Sequence, residues 1–223
     1  MSKILILVEG QTEEVFVNQV LYPHLTPKNI FPIAKLATTK RVKIGPDFKG
    51  GIVSYDKVRK DLVRLLGDTS SDLVTTMIDF YGLPENFPGK NSMPPGDCFS
   101  RVKYLEAEFQ REIDHKKFVP YLQLHEFEAL MFASPSEISR MLHAEREQAD
   151  QIQQIMTHFQ SPEKINEDPE KHVSKRLREI FPEYDKPLYG PLISKEIGLE
   201  KIRAECNHFN GWLEMLEKLR PPV

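Results

Sequence analysis

The sequence contains few cysteines and no long apolar run. Its two cysteines, Cys98 and Cys206, lie in no CxxC or CxxH spacing, which argues against a disulfide scaffold or a structural zinc site and favours a reducing cytoplasm. The longest apolar run near the start, residues 4–8, is too short for a signal peptide or a membrane span. We therefore expect a cytoplasmic protein with no membrane partner.

A strong excess of charge is absent as well. The formal net charge of the 223 residues is -3, with 28% charged and 40% hydrophobic residues, which is typical of a soluble globular protein. This balance gives no direct sign of nucleic-acid binding. It does not exclude it, because a metal-dependent nuclease uses several acids to hold its cations and contacts phosphate through local basic patches.

What the sequence does contain is a regular alternation of strands and helices. Because helix-length segments separate four apolar segments, we predict an α/β fold, a parallel four-stranded sheet with helices on both faces. Thr12 and Ser54 are predicted to cap the first two helices, and the apolar stripe from Phe99 to Ile113 marks the third. The predicted strands are 3–8, 31–37, 73–78 and 118–124.

From residue 128 onward the pattern becomes helical. We predict an α/β core at 1–133 and a helical C-terminal region at 134–223 that packs on it. The last predicted helix carries Trp212, which belongs either to the core or to the face of a homodimer. Helices are predicted at 128–132, 138–142, 146–159, 170–180 and 199–219.

Acidic residues follow three of the predicted strands. Glu9 follows the first strand, Asp79 the third, and Glu126 and Glu128 the fourth. Because the carboxyl ends of parallel strands lie at one edge of a sheet, we expect these side chains to converge. Mg²⁺ takes such oxygen ligands, and one ion or a pair of ions can serve phosphodiester displacement. With Glu13 one turn into the following helix, these acids are the candidate ligands of Mg²⁺ or Mn²⁺.

Each acid also has a purely structural interpretation. Acids in the first turn of a helix complement its dipole, which accounts for Glu13 and for at least one of Glu126 and Glu128. Asp79 is alternatively a turn cap, or the nucleophile of a phosphotransfer fold. Glu9 fits these roles least, since the end of a strand above a sheet is a typical site position.

Two basic segments are candidates for contact with a nucleic-acid backbone. The loop at 40–49 carries Lys40, Arg41 and Lys43, and the predicted helix at 170–180 carries Lys175 and Arg176. Both segments fit phosphate contacts. The alternative is a solvated loop and a solvated helix face.

Several motifs together resemble a known family. The segment Val8-Glu9-Gly10-Gln11-Thr12-Glu13, with Asp79 downstream, resembles the TOPRIM fold of topoisomerases, primases and overcoming-lysogenization-defect nucleases. More closely, the chain resembles the TOPRIM-related domain-of-unknown-function family 4276. That resemblance covers nearly the whole chain and includes the segments 124–132, 174–177, 190–193, 197–199 and 203–209.

The resemblance implies roles for the acids at the strand ends. Glu9 matches the invariant TOPRIM glutamate, a metal ligand or general acid/base, and Glu13 matches the second acid of the nuclease version. Asp79 matches the first acid of the Asp-x-Asp motif. The second acid of that motif is replaced by Tyr81, so a standard two-metal site requires another ligand, from Glu126 or Glu128.

The resemblance also implies a phosphate contact and a partner. Lys175 is the implied phosphate-contacting lysine. The implied partner is an AAA or ABC-type ATPase, within a phage-defence system of the abortive-infection kind. These implications come from the family and not from the spacing of the residues.

We therefore predict a Mg²⁺- or Mn²⁺-dependent nuclease that cleaves DNA or RNA with water as the nucleophile. Its predicted catalytic residues are Glu9, Asp79 and Lys175. The alternative is a degenerate TOPRIM-like module that binds nucleic acid or regulates its partner without catalysis. A phosphatase with Asp79 as nucleophile is a third hypothesis, which Glu9 fits poorly because such enzymes prefer an aspartate at the end of the first strand.

Overall fold

Five parallel strands form the centre of the structure, a computed structural model that describes residues 1–38, 54–165 and 171–219. The strand order is β2-β1-β3-β4, and β5 pairs with β3 beyond β4. The basic residues predicted in the loop, Lys40, Arg41 and Lys43, lie outside the described residues. The strands are β1 Ser2–Val8, β2 Ile30–Leu36, β3 Leu73–Asp79, β4 Phe118–Val119 and β5 Leu122–Gln123.

Ten α-helices surround this sheet in the part of the chain that the structure describes. Wider π-type turns at Val17–Leu21 join the first two helices into one helical segment. None of the described helices is long and apolar enough to cross a membrane. The helices are α1 Gln11–Phe16, α2 Tyr22–Leu25, α3 Tyr55–Leu66, α4 Cys98–Ile113, α5 Pro135–Met141, α6 Arg146–Phe159, α7 Val173–Ile180, α8 Lys186–Ile197, α9 Leu199–Glu205 and α10 Asn207–Glu217.

The sheet buries a separate core on each face. Because side chains alternate along a strand, Ile4 and Ile6 of β1 join a core with the C-terminal helices, while Leu5 and Leu7 join a core with α3 and α4. Helices therefore cover both faces of a parallel sheet, and the predicted α/β fold with a helical C-terminal part is confirmed. The division at residue 133 stays a prediction.

The register of the strands sets the position of the site. Val8 pairs with Met77 of β3 and with Leu36 of β2, so β1 and β3 end almost level. The backbone N–H of Glu9 continues this pairing by donating to the Met77 carbonyl at 3.3 Å. The residues after both strands consequently lie at the same edge of the sheet.

The fourth predicted strand, 118–124, is wrong as one strand, because it is interrupted after Val119. Pro120 has no N–H to donate to a sheet, and the backbone pairing with β3 resumes in the same register only at Leu122. The buried hydroxyl of Thr76 repairs this gap. It donates to the Tyr121 carbonyl at 2.8 Å and accepts the Tyr121 N–H at 2.9 Å.

Two predicted helix boundaries are also wrong. The first helix is capped at Gly10 and not by Thr12, because the Glu13 carboxylate accepts the Gly10 N–H at 2.8 Å. The closing helix at 199–219 is two helices, broken at Cys206. The buried Glu163 carboxylate accepts the N–H groups of His208 and Phe209, each at 2.9 Å, and so starts α10 as a new helix.

Candidate active site

The ends of β1 and β3 bring two acids into direct contact. The Glu9 carboxylate accepts the backbone N–H of Asp79 at 3.1 Å through Oε2. The level ends of the two strands produce this contact, although the residues are distant in the sequence. The convergence expected from the strand order is therefore observed for Glu9 and Asp79.

The Asp79 carboxylate connects the end of β3 with two later parts of the chain. Its Oδ1 accepts the Phe127 N–H at 2.9 Å, and its Oδ2 lies 3.3 Å from Nζ of Lys186. The same ammonium lies 2.9 Å from Oε2 of Glu128, which is fully buried in the 3₁₀ turn Phe127–Ala133. Lys186 is thus held between the carboxylates of Asp79 and Glu128.

Close packing of α1 against α8 brings the N-terminus of α8 to this cluster. A Cβ atom on Gly190 would lie only 2.9 Å from Cγ2 of Thr12 and 3.3 Å from Cε1 of Phe127. Glycine at this position of α8 therefore permits the two helices to approach. Because Lys186 is the first residue of α8, the same approach places its ammonium beside the acids.

Glu126 has a different set of partners, at the N-terminus of α7. Its carboxylate accepts the Ser174 N–H at 2.8 Å and the Ser174 hydroxyl at 3.0 Å. The Nδ1 atom of His172 lies 3.4 Å from the same carboxylate. Glu126 therefore joins α7 to the edge of the acid cluster, and both of its oxygens accept hydrogen bonds.

Burial and mutual repulsion raise the pKa values of the acids. Burial, with repulsion from Glu13, raises the pKa of Glu9 from 4.5 to about 7 against the attraction of Lys186. Burial also raises the pKa of Asp79 well above its usual range, and that of Glu128, in both cases against Lys186. The single ammonium of Lys186 does not offset the combined effect of burial and repulsion on these carboxylates.

Lys186 shows the complementary effect. Burial disfavours its charged form, but the attraction of Glu128, Asp79, Glu13 and Glu126 outweighs burial and holds the pKa of Lys186 well above its usual value. The lysine is therefore charged at neutral pH. It acts as an internal cation of the acid cluster.

The residues present suit a hard divalent cation, although Lys186 is now their counter-ion. Oε1 of Glu128 is buried and has no hydrogen-bond partner among the described residues, which is costly for a carboxylate oxygen unless a cation binds it. Within the described ranges, no three His, Cys, Asp or Glu side chains stand in position to hold one ion as they are. Metal binding therefore requires side chains of the cluster to reorient.

The two basic residues predicted to contact nucleic acid from α7 are Lys175 and Arg176. Lys175 is exposed. Arg176 lies over the Phe159 ring, 5.3 Å from its centroid, and its Nε donates to the Lys171 carbonyl at 2.7 Å. Both stay predictions as nucleic-acid contacts. Among the described residues, Lys186 contacts the acids of the cluster.

Sequence reasoning missed Lys186 because it missed the helix that carries it. Pro187 stands in the first turn of α8 and Pro191 inside it, and internal proline normally argues against a helix. Proline in the first turn is a helix-start signal. Asp185-Lys186-Pro187 was therefore the available indication of a helix beginning at Lys186.

A protein-family model matches most of the chain. The model of the domain of unknown function DUF4276 matches residues 8–217. The chain belongs to the DUF4276 family. No curated protein matches its sequence.

Two solved structures resemble this DUF4276 chain at low identity. One is the C-terminal region of the Burkholderia pseudomallei OLD protein, with 14% identity, a TM-score of 0.43, and coverage of 97% of this chain and 99% of that chain. The other is the C-terminal region of the Xanthomonas campestris pv. campestris OLD protein, with 14% identity, a TM-score of 0.39, and coverage of 96% and 98%. At TM-scores this low, the two likenesses carry no conclusion about the chain.

Proposed function

We propose that this DUF4276 protein is a TOPRIM-like nuclease that hydrolyses phosphodiester bonds of DNA or RNA with Mg²⁺ or Mn²⁺. The observation that carries the proposal is the meeting of acids from β1, β3 and the turn after β5 around one half-buried lysine. Such a cluster is costly unless cations or protons neutralise its charges. Structural acids at helix starts do not need to converge in this way.

In this proposal the acids have unequal roles. Glu9, Asp79 and Glu128 hold the metal, because Glu9 contacts the backbone of Asp79, Lys186 connects Asp79 with Glu128, and Glu128 offers an unpartnered oxygen. Glu13 supports them from the first turn of α1. Glu126 is the weakest candidate ligand, since Ser174 occupies both of its oxygens.

A bound Mg²⁺ or Mn²⁺ would stabilise the charge that develops on the phosphate and make water a better nucleophile. The chain itself supplies a fixed positive charge. Lys186 is held by Asp79 and Glu128, so a phosphate that approaches these acids meets the ammonium directly. We therefore propose Lys186 as a phosphate-contacting lysine beside Lys175, the residue that the family resemblance implies.

The biological setting is proposed from the resemblance alone. We propose an effector of phage defence, in the manner of abortive infection, that works with an AAA or ABC-type ATPase in the cytoplasm. A homodimer is a further proposal, although the structure uses Trp212 internally. Trp212 is buried, donates through its indole N–H to Thr75 at 3.0 Å and stacks on Tyr121.

The test is cleavage of plasmid DNA and of tRNA in Mg²⁺ or Mn²⁺. We expect the unaltered chain to cleave at least one of them, and Glu9→Gln and Asp79→Asn to lose on the order of 10²-fold or more in rate. Glu147→Gln, at an exposed acid in the first turn of α6, is the matched control. Cleavage that survives Glu9→Gln and Asp79→Asn would refute the assignment.

One observation favours a second function, a module that binds nucleic acid without cleaving it. Tyr81 occupies the position of the second acid of the Asp-x-Asp motif, and Lys186 already neutralises Asp79 and Glu128 internally. Calorimetric titration with Mn²⁺ separates the two functions. A degenerate site binds no Mn²⁺ in a manner that depends on Asp79.

A further inference from the structure

An aromatic pair lies beside the acid cluster. Tyr81 is two residues beyond Asp79, and its backbone N–H donates to the His125 carbonyl at 2.8 Å. Its ring stacks on the imidazole of His172, with 4.9 Å between the ring centroids and 25° between the planes. The Tyr81 ring is therefore held in one orientation close to the end of β3.

His172 is itself anchored to the cluster. Its Nδ1 lies 3.1 Å from the Ser174 hydroxyl and 3.4 Å from Oε2 of Glu126, and Glu126 also binds the Ser174 backbone. The stacked pair is thus tied to the acids from two directions, through the backbone after Asp79 and through Glu126. A ring that is ordered in advance pays little entropy when a ligand stacks on it.

A second tyrosine–histidine stack in the same chain, between Tyr121 and His208, provides a comparison in which the tyrosine is buried. Tyr121 stacks on His208 with a centroid distance of 5.1 Å and an angle of 22°, and Tyr121 is 1% exposed. Tyr81 is 37% exposed. The Tyr121 pair therefore fills the core, whereas the Tyr81 pair keeps aromatic surface in contact with solvent.

We propose that Tyr81, braced by His172, is a stacking platform for an unpaired nucleobase next to the phosphate bound at the acid cluster. The inference rests on the proposed function, whose substrate it narrows to single-stranded or locally unpaired nucleic acid. Every base offers a flat face to an aromatic ring, whereas bases inside a duplex are already stacked on their neighbours. The replacement of the second Asp of the motif by Tyr81 thus exchanges a metal ligand for a base contact.

The first test measures binding, so it does not depend on cleavage. The probes are short fluorescein-labelled single strands of DNA and of RNA, and the corresponding duplexes, in fluorescence anisotropy. We expect Tyr81→Leu to weaken single-strand binding by about 5- to 150-fold, the usual range for one stacked base, and to leave duplex binding unchanged. Tyr81→Phe, which keeps the ring, should retain the single-strand preference.

The control is Tyr22→Leu, since Tyr22 is similarly exposed, at 43%, at the start of α2. A second measurement uses the unaltered chain and a strand with one 2-aminopurine, whose fluorescence falls when it stacks. Equal losses on single strand and duplex, loss of the preference in Tyr81→Phe, or unquenched 2-aminopurine would each overturn the proposal. If the unaltered chain quenches 2-aminopurine but cleaves neither plasmid DNA nor tRNA, the stacking proposal stands and the nuclease proposal fails. The comparison of DNA and RNA single strands shows which nucleic acid the chain binds.

Discussion

Nζ of Lys186 lies 2.9 Å from Oε2 of Glu128, at the centre of the acid cluster. The lysine begins α8, and the glutamate lies in the turn after β5. Because Glu128 is fully buried, this contact neutralises a charge that water cannot reach. In the proposed nuclease, the lysine and the metal would therefore compete for one set of carboxylates.

Replacement of Lys186 should separate metal binding from cleavage. In Lys186→Met the competing ammonium is gone, so we expect Mn²⁺ to bind more tightly than to the unaltered chain. Cleavage should nevertheless fall by on the order of 10²-fold, because a fixed charge that faces the phosphate is lost. Calorimetry and the plasmid assay measure the two effects.

Lys175→Met is the partner variant, at the lysine that the family resemblance implies. If Lys175 contacts the phosphate as well, this variant lowers cleavage and leaves Mn²⁺ affinity unchanged, because Lys175 is exposed on α7. Full activity of Lys186→Met would contradict the role assigned to Lys186.

The contact between α1 and α8 predicts a loss of stability on substitution of one glycine and no loss on substitution of another. In Gly190→Ala the new methyl would lie 2.9 Å from Cγ2 of the buried Thr12, so we expect a loss of about 1–3 kcal/mol in the free energy of unfolding. Gly211→Ala in α10 meets nothing within 4 Å. It should be neutral or more stable by up to about 1 kcal/mol.

Thr12→Ser supplies the rescue, since it removes the methyl group that Gly190→Ala would meet. The double variant should regain part of the lost stability in urea unfolding. Equal stabilities of Gly190→Ala and Gly211→Ala would show that the two helices are not packed as closely as described.

Glu9 should link stability to pH in the metal-free chain. Its folded pKa of about 7 exceeds its ordinary value of 4.5, so the folded state holds the extra proton between these values. The stabilising contribution is complete below pH 4.5 and is lost as pH rises through 7, by roughly 3 kcal/mol at most. Urea unfolding in EDTA across this window measures it.

The buried His125 changes the free energy of unfolding with pH in the opposite direction to Glu9, so the measurement has to remove its contribution. Burial lowers the pKa of His125 from 6.5 to about 4, so its contribution is lost as pH falls through this range. The measurement is therefore the difference between the unaltered chain and Glu9→Gln, which share His125. We expect Glu9→Gln to gain relative stability as pH rises from 4.5 to 7. A difference that is independent of pH would contradict the raised pKa.

Much of the sheet and of the acid cluster could be predicted from the sequence. The apolar runs in β1 and β3 are strong local signals, and parallel pairing then places Glu9 and Asp79 at one edge. The contact between these two residues follows from topology and needs no knowledge of side-chain packing. This is why residues far apart in the sequence could be paired correctly.

The remaining features depend on contacts that no local pattern records. Thr76 supports the break after β4, and Glu163 starts α10, through hydrogen bonds to distant backbone. Helix α8 contains Pro191 and is stabilised by packing against α1. Helix propensity alone therefore does not predict α8 or the position of Lys186, although this lysine lies at the centre of the site.

A crystal soaked in Mn²⁺ and measured for anomalous scattering shows directly whether the acid cluster holds a metal. We expect an anomalous peak bounded by carboxylate oxygens of Glu9, Asp79 and Glu128, with the Lys186 ammonium beside it. The absence of a peak among these three acids, at Mn²⁺ concentrations that support cleavage, would contradict this expectation.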